Sequence, residues 1–403
     1  MNSGIEERLK ELAKEMRGFG GQRFNHNDET RKEVCDLYAD KIESILVEHF
    51  SSVAAGKNPL KILTTTTKPD YPAWGEQTEM LPGWNEEAQR AWKSKQSAGI
   101  VADLRWAFRL LSASRRYDVV ITGFERAAWL FALLRRFLFI SGPPHIFLDA
   151  HPVLAGNRFV RAIRRFVFRQ VFLSAESVVV FSVKQRRLWA DLFDISDDKF
   201  SVIPYWATAS VEQAAESTLG DYVFAGGDEE RDYKTLIQAM ERLPYRLVIA
   251  ALRRDHFEGV TIPPNVEIVT VAHAEFMRLL SGAGAVVVPL KKDTIRYAGQ
   301  QTYLNAMLFA KPVLVACEGA GEYIKDGETG CLSMPGDILG MSSVIMFLMS
   351  SPKAASEIGI NAQRAAREFT ADKYFGGIFA LARRCASIHT LGIPNQSTRE
   401  CEQ

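Results

Sequence analysis

The chain is poor in cysteine, in net charge and in long apolar runs. Its five cysteines, Cys35, Cys317, Cys331, Cys385 and Cys401, are scattered and odd in number, and no CxxC pair occurs. This argues against a disulfide framework or a thiolate zinc cluster and fits a reduced, cytoplasmic compartment. The formal net charge is +1, so no global field draws in nucleic acid, and no recognisable nucleic-acid module appears. The opening "MNSGIEERLKELAKEMRG" is charged from its start and has no apolar signal-peptide core. The most apolar stretch, Ala127 to Ile140, is broken by Arg135 and Arg136 and is shorter than the roughly 20 residues of a spanning helix. A metal-gripping DxD cluster is also missing. "DISDDKF" reads as solvated acids on a surface turn.

What is present is a large stock of core residues. Of 403 residues, 47% are hydrophobic and 24% charged, as in soluble globular proteins with two or three domains. Residues 1–58 read as a helical extension, with apolar spacing at Ile5, Leu9 and Leu12 and again at Val34, Leu37, Ile42, Ile45 and Leu46. Then the rhythm changes. "LKILTTTT", "YDVVITG", "PHIFLDAHP", "SVVVFS" and "FSVIPYW" are short buried strands alternating with helical stretches, the pattern of a parallel α/β sheet. After the polar linker "ATASVEQAAESTLG" the series restarts with "DYVFAGG", "YRLVIAAL", "NVEIVTVAH", "GAVVVPL" and "KPVLVAC". The expectation is therefore two Rossmann-like, doubly wound parallel-sheet domains facing a cleft. Residues 59–208 form the first, 209–375 the second, and 376–403 a closing helix and polar tail. Ligands bind at the carboxyl ends of strands in such sheets.

In "VFAGGDEERDYKTLIQAM" a strand runs into Gly226 and Gly227, which tolerate unusual dihedrals and close ligand approach. Arg231 and Lys234 follow at the start of a helix, whose free N–H groups and adjacent cations suit a diphosphate. A tight turn with a solvated charge run explains the same residues equally well. Downstream, "AGQQTYLNAMLFAKPVLVACEGAGEYIKDGETGCL" resembles the donor-binding region of the retaining, GT-B-fold glycosyltransferases, the "glycosyl transferases group 1" family. Their usual wording is a helix with "LEAMA.GKPVV" followed by "GG..E....G..G". The resemblance covers roughly Asp221 to Phe375, and the first half only as strand order.

That resemblance implies roles. Arg231 and Lys234 would hold the donor diphosphate, with Gly226 and Gly227 under the sugar and phosphate. The loop carrying Val271 and His273 would face the nucleotide base. Tyr297, Gly299, Gln300 and Gln301 would meet the donor sugar and phosphates. Asn305 stands where the family has a ribose-gripping glutamate, and Glu322 matches the acid after the glycine turn. The family's first paired glutamate falls eight positions before Asn305, at Tyr297, so both acids are replaced. An amide has one acceptor oxygen and a donor NH2, and replaces the carboxylate grip only in part. Asn305 bonded to a neighbouring backbone group is the plainer alternative.

On the first unit, Asp149 and His151 end the "PHIFLDAHP" strand. The resemblance implies that His151 faces the transferring sugar; a loop cap is the alternative. "NRFVRAIRRFVFRQVFL" places Arg158, Arg161, Arg165 and Arg169 on one helical face and Phe159, Val160, Ile163, Phe166 and Val167 opposite, while Phe168 and Phe172 land near the basic side. Such a helix suits an anionic membrane interface, or else an ordinary surface with its apolar side in the core. The resemblance implies a nucleotide-sugar-dependent, retaining glycosyltransferase. It would take a UDP- or GDP-sugar co-substrate, a saccharide or lipid-linked acceptor and no essential metal. It would work in the cytoplasm or on the inner face of the membrane, in surface polysaccharide or glycoconjugate synthesis. The rival is a non-catalytic GT-B scaffold of a polysaccharide assembly complex.

Overall fold

Each buried apolar run becomes a parallel strand, and the loops after the strands converge on one cleft. The computed structural model describes residues 59–68, 71–84, 99–209, 220–292 and 298–391. The proposed helical extension 1–58, Tyr297 and the polar tail 392–403 lie outside the described residues. The first sheet holds β1 (Ile62–Thr64), β2 (Glu79–Met80), β3 (Val119–Thr122), β4 (His145–Phe147), β5 (Ser177–Val180) and β6 (Phe200–Val202), in the order β2-β1-β3-β4-β5-β6. The second holds β7 (Tyr222–Gly226), β8 (Arg246–Ala250), β9 (Val266–Val269), β10 (Ala285–Pro289), β11 (Val313–Ala316) and β12 (Cys331–Leu332), in the order β12-β11-β10-β7-β8-β9. All ladder pairs are parallel. The edge strands β2 and β12 have two residues each, too few to leave a pattern in the sequence.

The helices of the first half are α1 (Pro72–Gln77), α2 (Ile100–Ser114), α3 (Arg126–Phe137), α4 (Arg158–Ser174) and α5 (Val183–Phe193). Those of the second are α6 (Tyr233–Met240), α7 (His273–Ser281), α8 (Gln300–Leu308), α9 (Ile338–Ser350), α10 (Pro352–Ala366) and α11 (Ala371–Leu391). In the second sheet the chain winds outward from β7 through β9, then returns to place β10 on the other side of β7. The reversal between β7 and β10 is a topological switch point, where such sheets open a crevice.

The last helix does not follow the boundary expected at residue 376. It starts at Ala371, and its Tyr374, Phe375, Ile378, Phe379 and Ala382 pack on Ile62, Val119, Ile121 and Ile146 of the first sheet. Phe375 also stacks on Tyr71 with ring centroids 4.2 Å apart, and Trp74 is buried in the same cluster. These aromatics pack the loop after β1. The chain thus crosses between domains twice, and the two crossings touch: Ala207 N donates to Phe369 O at 3.0 Å. No single helix among the described residues is long and apolar enough to cross a membrane.

Helix α4 is turned the opposite way to a simple amphipathic reading. Phe168, Val171 and Phe172, including the two that break the stripe, are buried with Trp189, Phe193 and Phe200. The regular apolar positions look outward: Phe159 is 73% exposed and Phe166 57%. The cause lies in the neighbouring elements, whose aromatic rings fill the gap beside β4 and β5. Phe172 stacks on Trp189 at 5.7 Å and meets Phe193 edge-on at 5.0 Å. Phe172→Ala should therefore cost about 3–5 kcal/mol in urea denaturation, whereas Phe159→Ser should change stability by less than about 0.5 kcal/mol. The reverse ranking would contradict this orientation of α4.

Candidate functional site

The cleft has a volume of about 830 Å³ and takes its walls from both domains. From the first come Asp149, Ala150 and His151; from the second Gly227, Arg231, Val271, His273, Gly299, Gln300, Gln301 and Asn305. So the structure brings eight of the expected donor-side residues and His151 to one place.

The floor is organised by Arg231. Its side chain is buried, with Nε donating to Gly226 O at 3.0 Å, Nη1 to Glu229 O at 2.7 Å and Nη2 to Thr302 Oγ1 at 3.4 Å. It joins the turn after β7 to the first turn of α8. Burial pulls the guanidinium below its usual range, while Tyr233, Asp228 and Glu229 act against that pull. A guanidinium has five N–H donors, so three protein acceptors do not exhaust it. Gly227 has φ +100°, and a Cβ there would lie 2.7 Å from Arg231 Nη2. Gly299, at φ +89°, precedes α8, and its Cβ would lie 2.7 Å from Val288 Cγ1. Gly226 is under the loop, its missing Cβ leaving room for the Phe276 ring. The N–H groups opening α8 therefore face the cleft beside a cation, which is a physical setting for an anion.

Two expected residues are elsewhere. Lys234 is exposed and does not line the cleft. Asp232 caps α6 by accepting from Thr235 N at 3.2 Å, and the buried Tyr233 takes the inward position, which turns Lys234 to solvent. Glu322 does not line the cleft either. It accepts from Val183 N at 2.7 Å and Lys184 N at 2.8 Å, capping α5 of the first domain. Beside it, Tyr323 Oη donates to Phe181 O at 2.6 Å and accepts from Tyr205 N at 3.0 Å. Both residues fasten one domain to the other.

Asn305 lines the cleft, but its amide is already engaged. Oδ1 accepts from Thr208 N at 2.8 Å and Ala209 N at 2.9 Å, and Nδ2 donates to Thr208 Oγ1 at 3.0 Å. Gln301 Nε2 donates to the same hydroxyl at 3.0 Å. The helix that opens the anion setting is thereby tied to the interdomain linker. Nothing in the sequence marks Thr208 as the partner, because it lies in a bland linker 97 residues from Asn305.

On the first domain's side, His151 is exposed on the loop after β4. The preceding turn is set by Asp149, whose φ is +50° and whose carboxylate is held by Lys68 Nζ at 2.9 Å. Asp is one of the few side chains that tolerate this region. Deeper at the same sheet end, the Thr65 hydroxyl donates to Glu125, whose carboxyl is raised above its usual range by desolvation. Glu125 leaves no local signal in the sequence, because its partner is 60 residues away. Among the described residues no three His, Cys, Asp or Glu side chains cluster to hold a metal ion.

No protein-family model matches the chain, and no curated protein matches it by sequence. Solved structures do. A glycosyltransferase from Rickettsia africae ESF-5 is similar with a TM-score of 0.61 at 14% identity, over 82% of this chain and 99% of that one. Anabaena Alr3699/HepE in complex with UDP-glucose gives 0.58 at 14% identity, over 82% and 100%. Sucrose-phosphate synthase from Thermosynechococcus elongatus gives 0.54 at 17% identity, over 69% and 76%. With its two parallel sheets facing a cleft, the chain has the GT-B fold.

Asn305→Ala should leave the Thr208 and Ala209 N–H groups without their acceptor and cost about 1–3 kcal/mol. Hydrogen exchange at those two amides should speed up while the core strands stay protected. Unchanged exchange there would show that the linker is held by other contacts.

Proposed function

We propose that the chain transfers a sugar from a nucleotide sugar to a saccharide or lipid-linked saccharide acceptor, with retention and without an essential metal. The observation that carries this reading is the pairing of Arg231 and the α8 N-terminus on one wall of the cleft with His151 on the other. HepE, similar in fold, has been solved with UDP, with UDP and glucose, and with UDP-glucose, which supports a uridine donor first and GDP second. In this reading Arg231 and the opening N–H groups of α8 neutralise the diphosphate as it leaves. The C1–phosphate oxygen bond breaks and the acceptor oxygen joins C1 on the same face. The acceptor proton passes to the departing phosphate oxygen. His151 hydrogen-bonds the transferring sugar, and Val271 and His273 border the base. The same reading puts the chain in the cytoplasm, touching the inner membrane face through α4, in surface polysaccharide or glycoconjugate synthesis.

Asn305 contributes differently from a ribose-gripping acid. Its acceptor oxygen serves two linker N–H groups, so it supports the donor pocket by fixing α8 against the linker. That same saturation favours a second reading, a non-catalytic GT-B scaffold with a remnant cleft. Thermal-shift and calorimetric screening against UDP, GDP, ADP and their sugars separates the two. Stabilisation by a nucleotide supports the transferase, and none at all supports the scaffold.

Arg231→Ala should lower donor turnover by at least about 100-fold. Arg231→Lys should not restore it, since an ammonium cannot hold Gly226 O, Glu229 O and Thr302 together. Near-normal turnover in either variant would remove Arg231 from the diphosphate site. Chelation with EDTA should leave the rate unchanged, and a loss restored by added metal would overturn the metal-free mechanism.

A further inference from the structure

Beside the cleft lies a second cavity of about 840 Å³, walled by α4, the loop before it and the end of α5. The two cavities share their partitions. Residues 149–151 line the cleft and residues 152–155 line the groove; Glu229 and Arg231 line the cleft and Glu230 lines the groove. Arg158, Arg161, Arg165 and Arg169 project along it at one-turn spacing. Arg169 is engaged with Asp194, through O at 3.2 Å and Oδ2 at 3.4 Å. Arg164, behind the groove, holds its loop wall through Ala155 O at 2.6 Å. The guanidiniums of Arg158, Arg161 and Arg165 have neither an ion pair nor a hydrogen bond among the described residues. They cover about 10 Å of helix. The lining carboxylates are Asp194, spent on Arg169, and Glu230. Phe166 lines the groove, and the exposed Phe159 and Ile163 continue the apolar strip beyond it.

We infer that this groove is a binding site for the phosphate groups of the acceptor, held by Arg158, Arg161 and Arg165. Three unpaired guanidiniums repel one another and face solvent, a setting suited to an extended anion with several oxygens. Shared partitions place such an anion next to the reacting end of the cleft, so that an acceptor saccharide could reach His151 while its phosphates stay on α4. The apolar strip fits a phosphate carried on a hydrocarbon tail. Naming the anion as part of the acceptor rests on the glycosyl-transfer reading; the anion site itself does not.

The test uses the full chain, with UDP present to fill the cleft. Inorganic pyrophosphate binding is measured by calorimetry, and binding to phosphatidylcholine vesicles with and without phosphatidylglycerol by co-sedimentation. The R158Q/R161Q/R165Q protein should bind pyrophosphate, anionic vesicles or both at least about ten-fold more weakly than the unaltered chain, with the same UDP affinity. Loss confined to pyrophosphate points to a soluble phosphorylated acceptor. Loss of vesicle binding, shared by F159S/I163S/F166S, points to phosphates at a bilayer. Both outcomes support the site. It is overturned if the unaltered chain binds neither probe, or if the triple-Gln protein binds both equally well. Failure of UDP binding in every protein would instead remove the donor reading and leave the groove comparison intact. All six positions are solvent-facing or line an open groove, and matching thermal melts check that the variants fold.

Discussion

A single buried cation sets the geometry of the switch point. Arg231 sits where the second sheet reverses direction, and its backbone bridges to Leu290 just past β10. Its guanidinium reaches the turn after β7 and the start of α8. An unpaired buried charge is costly, so the loop carbonyls and Thr302 must stay close to it. Gly227 and Gly299 have no side chain for a related reason: a Cβ at the first would strike the guanidinium, and one at the second would strike Val288 with Arg231 Nη1 only 3.4 Å away. The positive dihedrals, the glycines and the helix start thus form one constraint. The cleft wall formed by Gly227, Arg231 and the start of α8 is what remains open on its solvent side.

The second organising feature is how side chains of one domain satisfy backbone of the other. Glu322 caps α5, Tyr323 bridges Phe181 and Tyr205, and Asn305 holds Thr208 and Ala209. All three belong to the segment that resembles a donor-binding motif. In this chain those residue positions carry interdomain adhesion, and the cleft keeps its shape through them. The presence of an amide at position 305 is intelligible in those terms. An amide can accept from two N–H groups and also donate to Thr208 Oγ1, which an ionised carboxylate cannot do.

Much of the architecture was legible because buried parallel strands are short apolar runs that need no partner to be recognised. Val119–Thr122, Ser177–Val180 and Ala285–Pro289 are buried along their whole lengths. The two-residue edge strands left no such trace. The site was legible where backbone chemistry decides, as at Gly227 and Gly299. It was not where direction depends on neighbours. Lys234 points out because the Asp232 cap and Tyr233 fix the first turn of α6. Helix α4 turns its regular apolar stripe outward because Trp189, Phe193 and Phe200 claim Phe168 and Phe172 instead. The pairing of Asn305 with Thr208 is a long-range contact that no local pattern encodes.

The paired crossings between the domains have a mechanical consequence. Ala207 and Phe369 join the outgoing and returning segments by a hydrogen bond, so the domains are connected by two adjacent tethers. A single tether allows swivel and twist; two tethers side by side leave one easy rotation, about the line through them. Asn305 grips the next two residues of the outgoing tether and also lines the cleft. It therefore lies near that rotation axis, where opening the cleft moves it least, and so does Tyr323, whose ring packs 5.0 Å from that of Phe369.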